Sequence, residues 1–205
     1  MINNSAIYNV MLYAVQQASK PLKRDFGEIE YLQSSIKGST NFVEKAEERT
    51  KKILLSELSK ARPEFGFITS KIDNFQKLPS NSFWIIEPIN GKKNFSHGLP
   101  YFAISIALFE NNSIVAGLTY NPANDDIFYA EKGSGAIYNN RRIRVSSRKN
   151  IKECLISSNL DTKSLQNINL DKKSTNFLEQ NRHIRKIGST CLDLAYVASG
   201  RFDGY

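Results

Sequence analysis

The sequence predicts a layered α/β fold, and three observations carry that expectation. Apolar side chains recur at helical spacing over residues about 5 to 20, namely Ile7, Val10, Met11, Tyr13, Ala14, Val15 and Ala18. A central apolar run, Phe83-Trp84-Ile85-Ile86, reads as a buried strand. From Tyr101 to Val145, short apolar runs alternate with turn residues, the pattern of a strand meander rather than of a purely parallel wound sheet.

Taken in order, the first helix is expected to stop at Pro21, and Phe26 to Tyr31 fits neither a helical nor a strand pattern. A second helix opens near Lys37 and runs through Leu58, with Ile53, Leu54, Leu55 and Leu58 as its apolar positions. The segment from Ala61 to Thr69 leads into a short strand. The central strand should end at Glu87-Pro88, because Pro88 has no N–H with which to continue a ladder. Gly91 then permits a tight turn, and Asn94 to His97 opens a short helix. That arrangement holds polar side chains at the C-terminal end of a strand, where α/β folds place their ligand sites.

In the meander, Tyr101 to Leu108 and Ile114 to Tyr120 are strands joined by the hairpin turn Glu110-Asn111-Asn112-Ser113. Ile127 to Ala130 is a third, and two shorter strands punctuated by Gly133, Gly135, Asn139 and Asn140 end near Val145. Ser146 to Asn150 is polar and basic, which divides the chain into an α+β part at 1–147 and a smaller α/β part at 148–205. There, Leu155 to Ser158 and Ile184 to Ile187 read as strands and Cys191 to Gly200 as a helix. Residues 161 to 176 read as a solvated loop entering a helix around 174 to 181.

A chain of 205 residues can bury a sizeable core, and 40% hydrophobic residues with 12 Phe and 9 Tyr exclude a disordered chain. The net charge of +8 suits solubility or a nucleic-acid or acidic-protein partner, but the basic residues are scattered and lack the clustering of a dedicated nucleic-acid module. Cys154 and Cys191 have no metal or redox spacing and read as reduced thiols. His97 and His183 are too far from other candidate ligands in sequence for a metal or triad site. With no apolar run of spanning length and no basic, apolar leader, the expected location is cytoplasmic, away from membrane.

The stretch Trp84-Ile85-Ile86-Glu87-Pro88-Ile89-Asn90-Gly91-Lys92-Lys93-Asn94-Phe95-Ser96-His97-Gly98 resembles the inositol monophosphatase family, whose motif reads W-I-[IV]-D-P-[IL]-D-G-T-T-N-F-x-H-G. Trp84, Ile85, Ile86, Pro88, Ile89, Gly91, Asn94, Phe95, His97 and Gly98 match. Asn41-Phe42-Val43 opens the family's second segment, with Glu47 at its acidic metal position. Gly188-Ser189 and Leu192-Asp193-Leu194-Ala195-Tyr196-Val197-Ala198 match the segment that shapes the substrate pocket. The resemblance, closest in kind to the bacterial SuhB type, implies the αβαβα sandwich shared with fructose bisphosphatases.

By the same resemblance the expected activity is Mg²⁺-dependent hydrolysis of inositol monophosphate or a similar sugar phosphate. Glu47, Glu87, Ile89 and Asn90 fall on metal positions, with Ser70 where the family has a ligand Glu. Gly91, Lys92, Lys93, Gly188 and Ser189 fall on phosphate and substrate positions, and Lys92 stands at the catalytic Thr. Relatives of the SuhB type are implicated in transcription antitermination, which implies RNA polymerase or RNA as partners, and relatives are commonly homodimers.

The departures fall on the chemistry. Where the family places acids at 47, 70, 71, 87 and 90, this chain keeps only Glu47 and Glu87, and Lys71, Lys92 and Lys93 make the aligned site net positive. Glu87 adds a methylene to the family's Asp, which moves a bridging carboxylate by roughly a bond length against a tolerance of about 0.2 Å. The chain also ends at Tyr205, before the family's W-D-x-A-A-G helix with its further ligand. The expectation is therefore a truncated, catalytically impaired member. Lys92 and Lys93 are expected either to make an anion site in the former phosphate pocket or to turn out to solvent.

Overall fold

The computed structural model describes residues 5–32, 36–69, 81–159 and 183–205. Ser70, Lys71 and the expected loop and helix between 161 and 181 lie outside the described residues. Two long helices, α1 (Ala6–Leu32) and α2 (Ile36–Ala61), cover one face of a seven-stranded sheet. Its strands are β1 (Gly66–Ile68), β2 (Ser82–Asn90), β3 (Ala103–Glu110), β4 (Ser113–Asn121), β5 (Asp126–Glu131), β6 (Gly135–Tyr138) and β7 (Arg141–Arg142), adjacent in chain order. Only β1 runs parallel to its neighbour, so the sheet is mixed. A short helix α3 (Lys92–Ser96) follows β2. After a 3₁₀ turn at Ile151–Glu153, β8 (Ile156–Ser157) and β9 (Ile184–Arg185) pair in parallel, and α4 (Thr190–Ala198) ends the described elements.

Period-two burial sets the two faces. Ile104, Ile106 and Leu108 of β3 and Leu118 and Tyr120 of β4 point to the helices, where they meet Ala14, Val15, Ala18 and Leu22 of α1 and Ala46, Leu54 and Leu58 of α2. On the opposite face, Leu192 of α4 is buried against Ala103 and Phe128. The two-residue turns joining β3 to β4 and β6 to β7 use consecutive asparagines at positive φ, Asn111 (49°) with Asn112 (62°) and Asn139 (44°) with Asn140 (63°). That pair of left-handed residues gives a turn whose twist matches the strands it joins.

Two expected ends are corrected. Helix α1 does not stop at Pro21 but continues through it to Leu32, taking in the ambiguous stretch from Phe26. The proline costs about 3 kcal/mol in a helix interior. The stripe of Ala18, Leu22 and Ile29, all 3% exposed or less, outweighs that cost. Beyond the proline, the Arg49 guanidinium of α2 also donates to buried Asp25 and holds this half of α1 in place.

Strand β2 likewise passes Pro88 and ends at Asn90. Its pairing with β1 finishes at Ile85, and its pairing with β3 jumps from Glu87↔Ser105 to Asn90↔Ala103. Three steps on β2 oppose two on β3, so Pro88 sits in a bulge, where no ladder requires its missing N–H.

Candidate functional site

The end of β2, the turn at Gly91, α3 and the start of α4 meet at one place. Gly91 has φ 91°, and the Phe95 N–H donates to its carbonyl at 3.0 Å, so a left-handed residue swings the chain from strand into helix. Asn94 of α3 is buried, and its Nδ2 donates to the Tyr101 carbonyl at 2.7 Å and to the Ile187 carbonyl at 2.8 Å. One amide thus clips the loop before β3 and the loop before α4 to α3. Gly188, at φ 96°, passes the same amide so closely that a Cβ there would lie 3.4 Å from Asn94 Nδ2.

Asn90 takes the remaining role. Its Oδ1 accepts from Ser189 Oγ at 2.9 Å and from the Cys191 N–H at 3.0 Å. A backbone N–H can only donate, so the atom facing Cys191 is the amide oxygen. Ser189 is the residue before the first turn of α4, but its own side chain does not cap that helix. Asn90 caps it from across the fold, satisfying an N–H that has no partner within the helix.

The charged groups come from three elements. Glu47 projects from α2, and Lys92, the first residue of α3, places Nζ 2.7 Å from Glu47 Oε1, with the two side chains 27% and 50% exposed. Glu87 opens to solvent from β2, yet nearby protein displaces enough water to push its carboxyl up. A hydrogen bond with Asn90 and the Lys92 charge oppose that shift, and the Glu47 charge reinforces it. Lys93 is exposed. Of the two orientations the sequence offers for the lysines, Lys92 takes neither, reaching sideways to a carboxylate.

Some contributors carry no sequence signal for their role. The Tyr101 hydroxyl donates to Asp193 Oδ1 at 2.6 Å, fixing the start of β3 to fully buried Asp193, whose Oδ2 has no hydrogen-bond partner. Burial and the Asp193 carboxylate push the Tyr101 hydroxyl well above its ordinary range. Cys191 is pushed up to about 11, chiefly by burial, with Glu87 and Asp193 adding and a Ser105 hydrogen bond opposing, so it is a protonated thiol rather than a nucleophile.

The described residues do not fit Mg²⁺, the ion the family resemblance implies. Such an ion takes hard oxygen ligands at about 2.0–2.1 Å in near-octahedral array. Among the described residues no group of three or more His, Cys, Asp or Glu is placed to hold a metal. The one side-chain oxygen of Asn90 is engaged by two donors, and Glu47 is engaged by an ammonium. Ile89 is buried in the core, which leaves its backbone carbonyl as the only ligand atom it can supply. Among the described residues, no helix is long and apolar enough to cross a membrane.

Comparison with known proteins accords with the motif. An inositol-1-monophosphatase of Rhizobium meliloti (strain 1021) is 42% identical over 208 residues, covering 98% of this chain and 76% of that protein. A Nus factor SuhB of Xylella fastidiosa is 31% identical over 200 residues, covering 96% of this chain and 71% of that protein. The crystal structure of extragenic suppressor protein suhB from Bartonella henselae superposes with a TM-score of 0.78 at 42% identity, covering 97% of this chain and 76% of that one. The fold is thus the αβαβα type of these relatives. With the family pattern itself matched over residues 3–205, the chain belongs to the inositol monophosphatase family.

Proposed function

We propose that this protein keeps the inositol monophosphatase fold and a phosphatase-like site but is a pseudoenzyme for Mg²⁺-dependent hydrolysis. In this reading Glu47, Glu87, Ile89 and Asn90 mark the former metal positions, with Ser70 at a position where the family's ligand Glu is lost. Gly91, Lys92, Lys93, Gly188 and Ser189 mark the end that would face a sugar phosphate. The observation that carries it is Asn90, a neutral side chain whose only oxygen is spent on capping α4. An in-line attack on phosphorus needs a positioned, activated water and neutralisation of the transferring phosphoryl oxygens. Two carboxylates, one of them paired to Lys92, provide neither.

Similarity to proteins named Nus factor SuhB across 96% of the chain supports a binding role with RNA polymerase or RNA in place of catalysis. The test is phosphate release from inositol 1-phosphate by the full chain, in excess Mg²⁺ and in EDTA. Release equal to the protein-free blank in both is expected. Turnover of about 1 per second or faster, the ordinary enzyme range, with loss in EDTA would overturn the proposal.

A further inference from the structure

We infer that the Lys92 ammonium, paired to Glu47, is the resident cation of this site in place of a metal, and that its presence is what keeps a divalent ion away from Glu47. The inference rests on the reading that the site does not run Mg²⁺ chemistry, and goes beyond it by naming what keeps the ion out. Lys92 Nζ lies 2.7 Å from Glu47 Oε1. Its charge also acts on Glu87, while the Glu47 charge acts on Glu87 in the opposite sense. The carboxylate of α2 is therefore paired to the ammonium from the first residue of α3, and Glu87 of β2 feels the charge of both.

Glu47 and Glu87 repel one another, and a cation beside Glu47 relieves that repulsion. A lysine fixed by its own backbone meets that need at an effective concentration of about millimolar or more, independent of the free ion. The backbone here is fixed tightly: Gly91 sets the turn, and Asn94 clips α3 to two loops. An ammonium donates three hydrogen bonds and accepts none, so it neutralises carboxylates without assembling a coordination sphere or activating water. Lys92→Thr would remove that cation and leave the Glu47 carboxylate unpaired, free to attract a divalent ion from solution. The half-exposed ion pair is weak as a stability element. Its consequence is for which cation the site accepts.

The test is titration with Mn²⁺, followed by loss of the free-ion electron paramagnetic resonance signal, on full-length wild type, Lys92→Thr and Lys92→Thr/Glu47→Gln. The wild type is expected to show no saturable binding at millimolar Mn²⁺. Lys92→Thr should bind at least about tenfold more tightly, the scale of removing one nearby positive charge, and the double variant should lose that gain. Equal binding by wild type and Lys92→Thr, or a gain that survives Glu47→Gln, would overturn the inference.

A second readout needs no Lys92 substitution. In brief acetic anhydride labelling analysed by mass spectrometry, Lys92 should acetylate several-fold more slowly than adjacent Lys93, and the difference should disappear in Glu47→Gln. Equal rates in the wild type would contradict residence of the ammonium on Glu47. A silent phosphatase assay with no metal gain in Lys92→Thr removes only the resident cation. Mg²⁺-dependent turnover by the wild type removes the proposed function as well.

Discussion

Phe102→Ala is expected to lower the stability of the fold by about 3–5 kcal/mol, the usual cost of emptying a fully buried phenylalanine site. Phe102 is 0% exposed and immediately precedes β3. Its ring lies 4.9 Å from that of Phe26 in α1 and 5.0 Å from that of Phe95 in α3, the latter edge-on. The side chain therefore joins the stretch of α1 beyond Pro21 to the helix that follows Gly91. Removing it opens a cavity where three elements meet, none of which can close the gap alone. For a chain of this size the melting temperature should fall by roughly 10 °C, measured by circular dichroism. Phe102→Leu, which refills most of the volume, should recover more than half of the loss. A fall of only a degree or two in the alanine variant would contradict the packing described.

Gly91→Ala should cost about 2–4 kcal/mol, from the left-handed conformation and from overpacking together. The backbone at Gly91 has φ 91°, and a Cβ there would lie 3.0 Å from the Tyr101 carbonyl oxygen, 3.2 Å from Ser189 Cβ and 3.3 Å from Phe102 Cα. Two of these neighbours are main chain, which no rotamer change can move. Gly133 supplies the internal control: its φ is 82°, but nothing lies within 4 Å of an added Cβ. Gly133→Ala should therefore show only the conformational cost of about 1–2 kcal/mol. Urea unfolding of the two variants separates the terms. Equal losses would mean that the close approach at Gly91 carries no energy.

What was legible in the sequence divides along the reach of each signal. The turns at Asn111-Asn112 and Asn139-Asn140 were readable because paired asparagines tolerate positive φ, a property of the two residues themselves. The ends of α1 and β2 were misread because Pro21 and Pro88 were weighed locally. Burial of Ala18, Leu22 and Ile29 in one case, and a bulge against β3 in the other, decided the outcome. At the site, Glu87, Asn90, Gly91 and Lys92 stood out because they are contiguous in one motif.

The partners of those residues were not legible. Whether Lys92 points to a phosphate pocket, to solvent or to Glu47 depends on where α2 passes relative to α3, which no local pattern encodes. The trans cap that Asn90 gives α4 depends in the same way on two segments distant in the chain. The substitution Asp to Asn reads in sequence only as a lost charge. In the structure it is also a retained acceptor with an occupied structural position.

The central claim is that this site holds its own cation and not a metal ion. Anomalous diffraction from crystals soaked in Mn²⁺ tests it most directly. The expected map has no Mn²⁺ peak between Glu47 and Glu87, with the Lys92 ammonium within hydrogen-bonding distance of Glu47. A strong Mn²⁺ peak ligated by those carboxylates, with Lys92 displaced, would contradict the account.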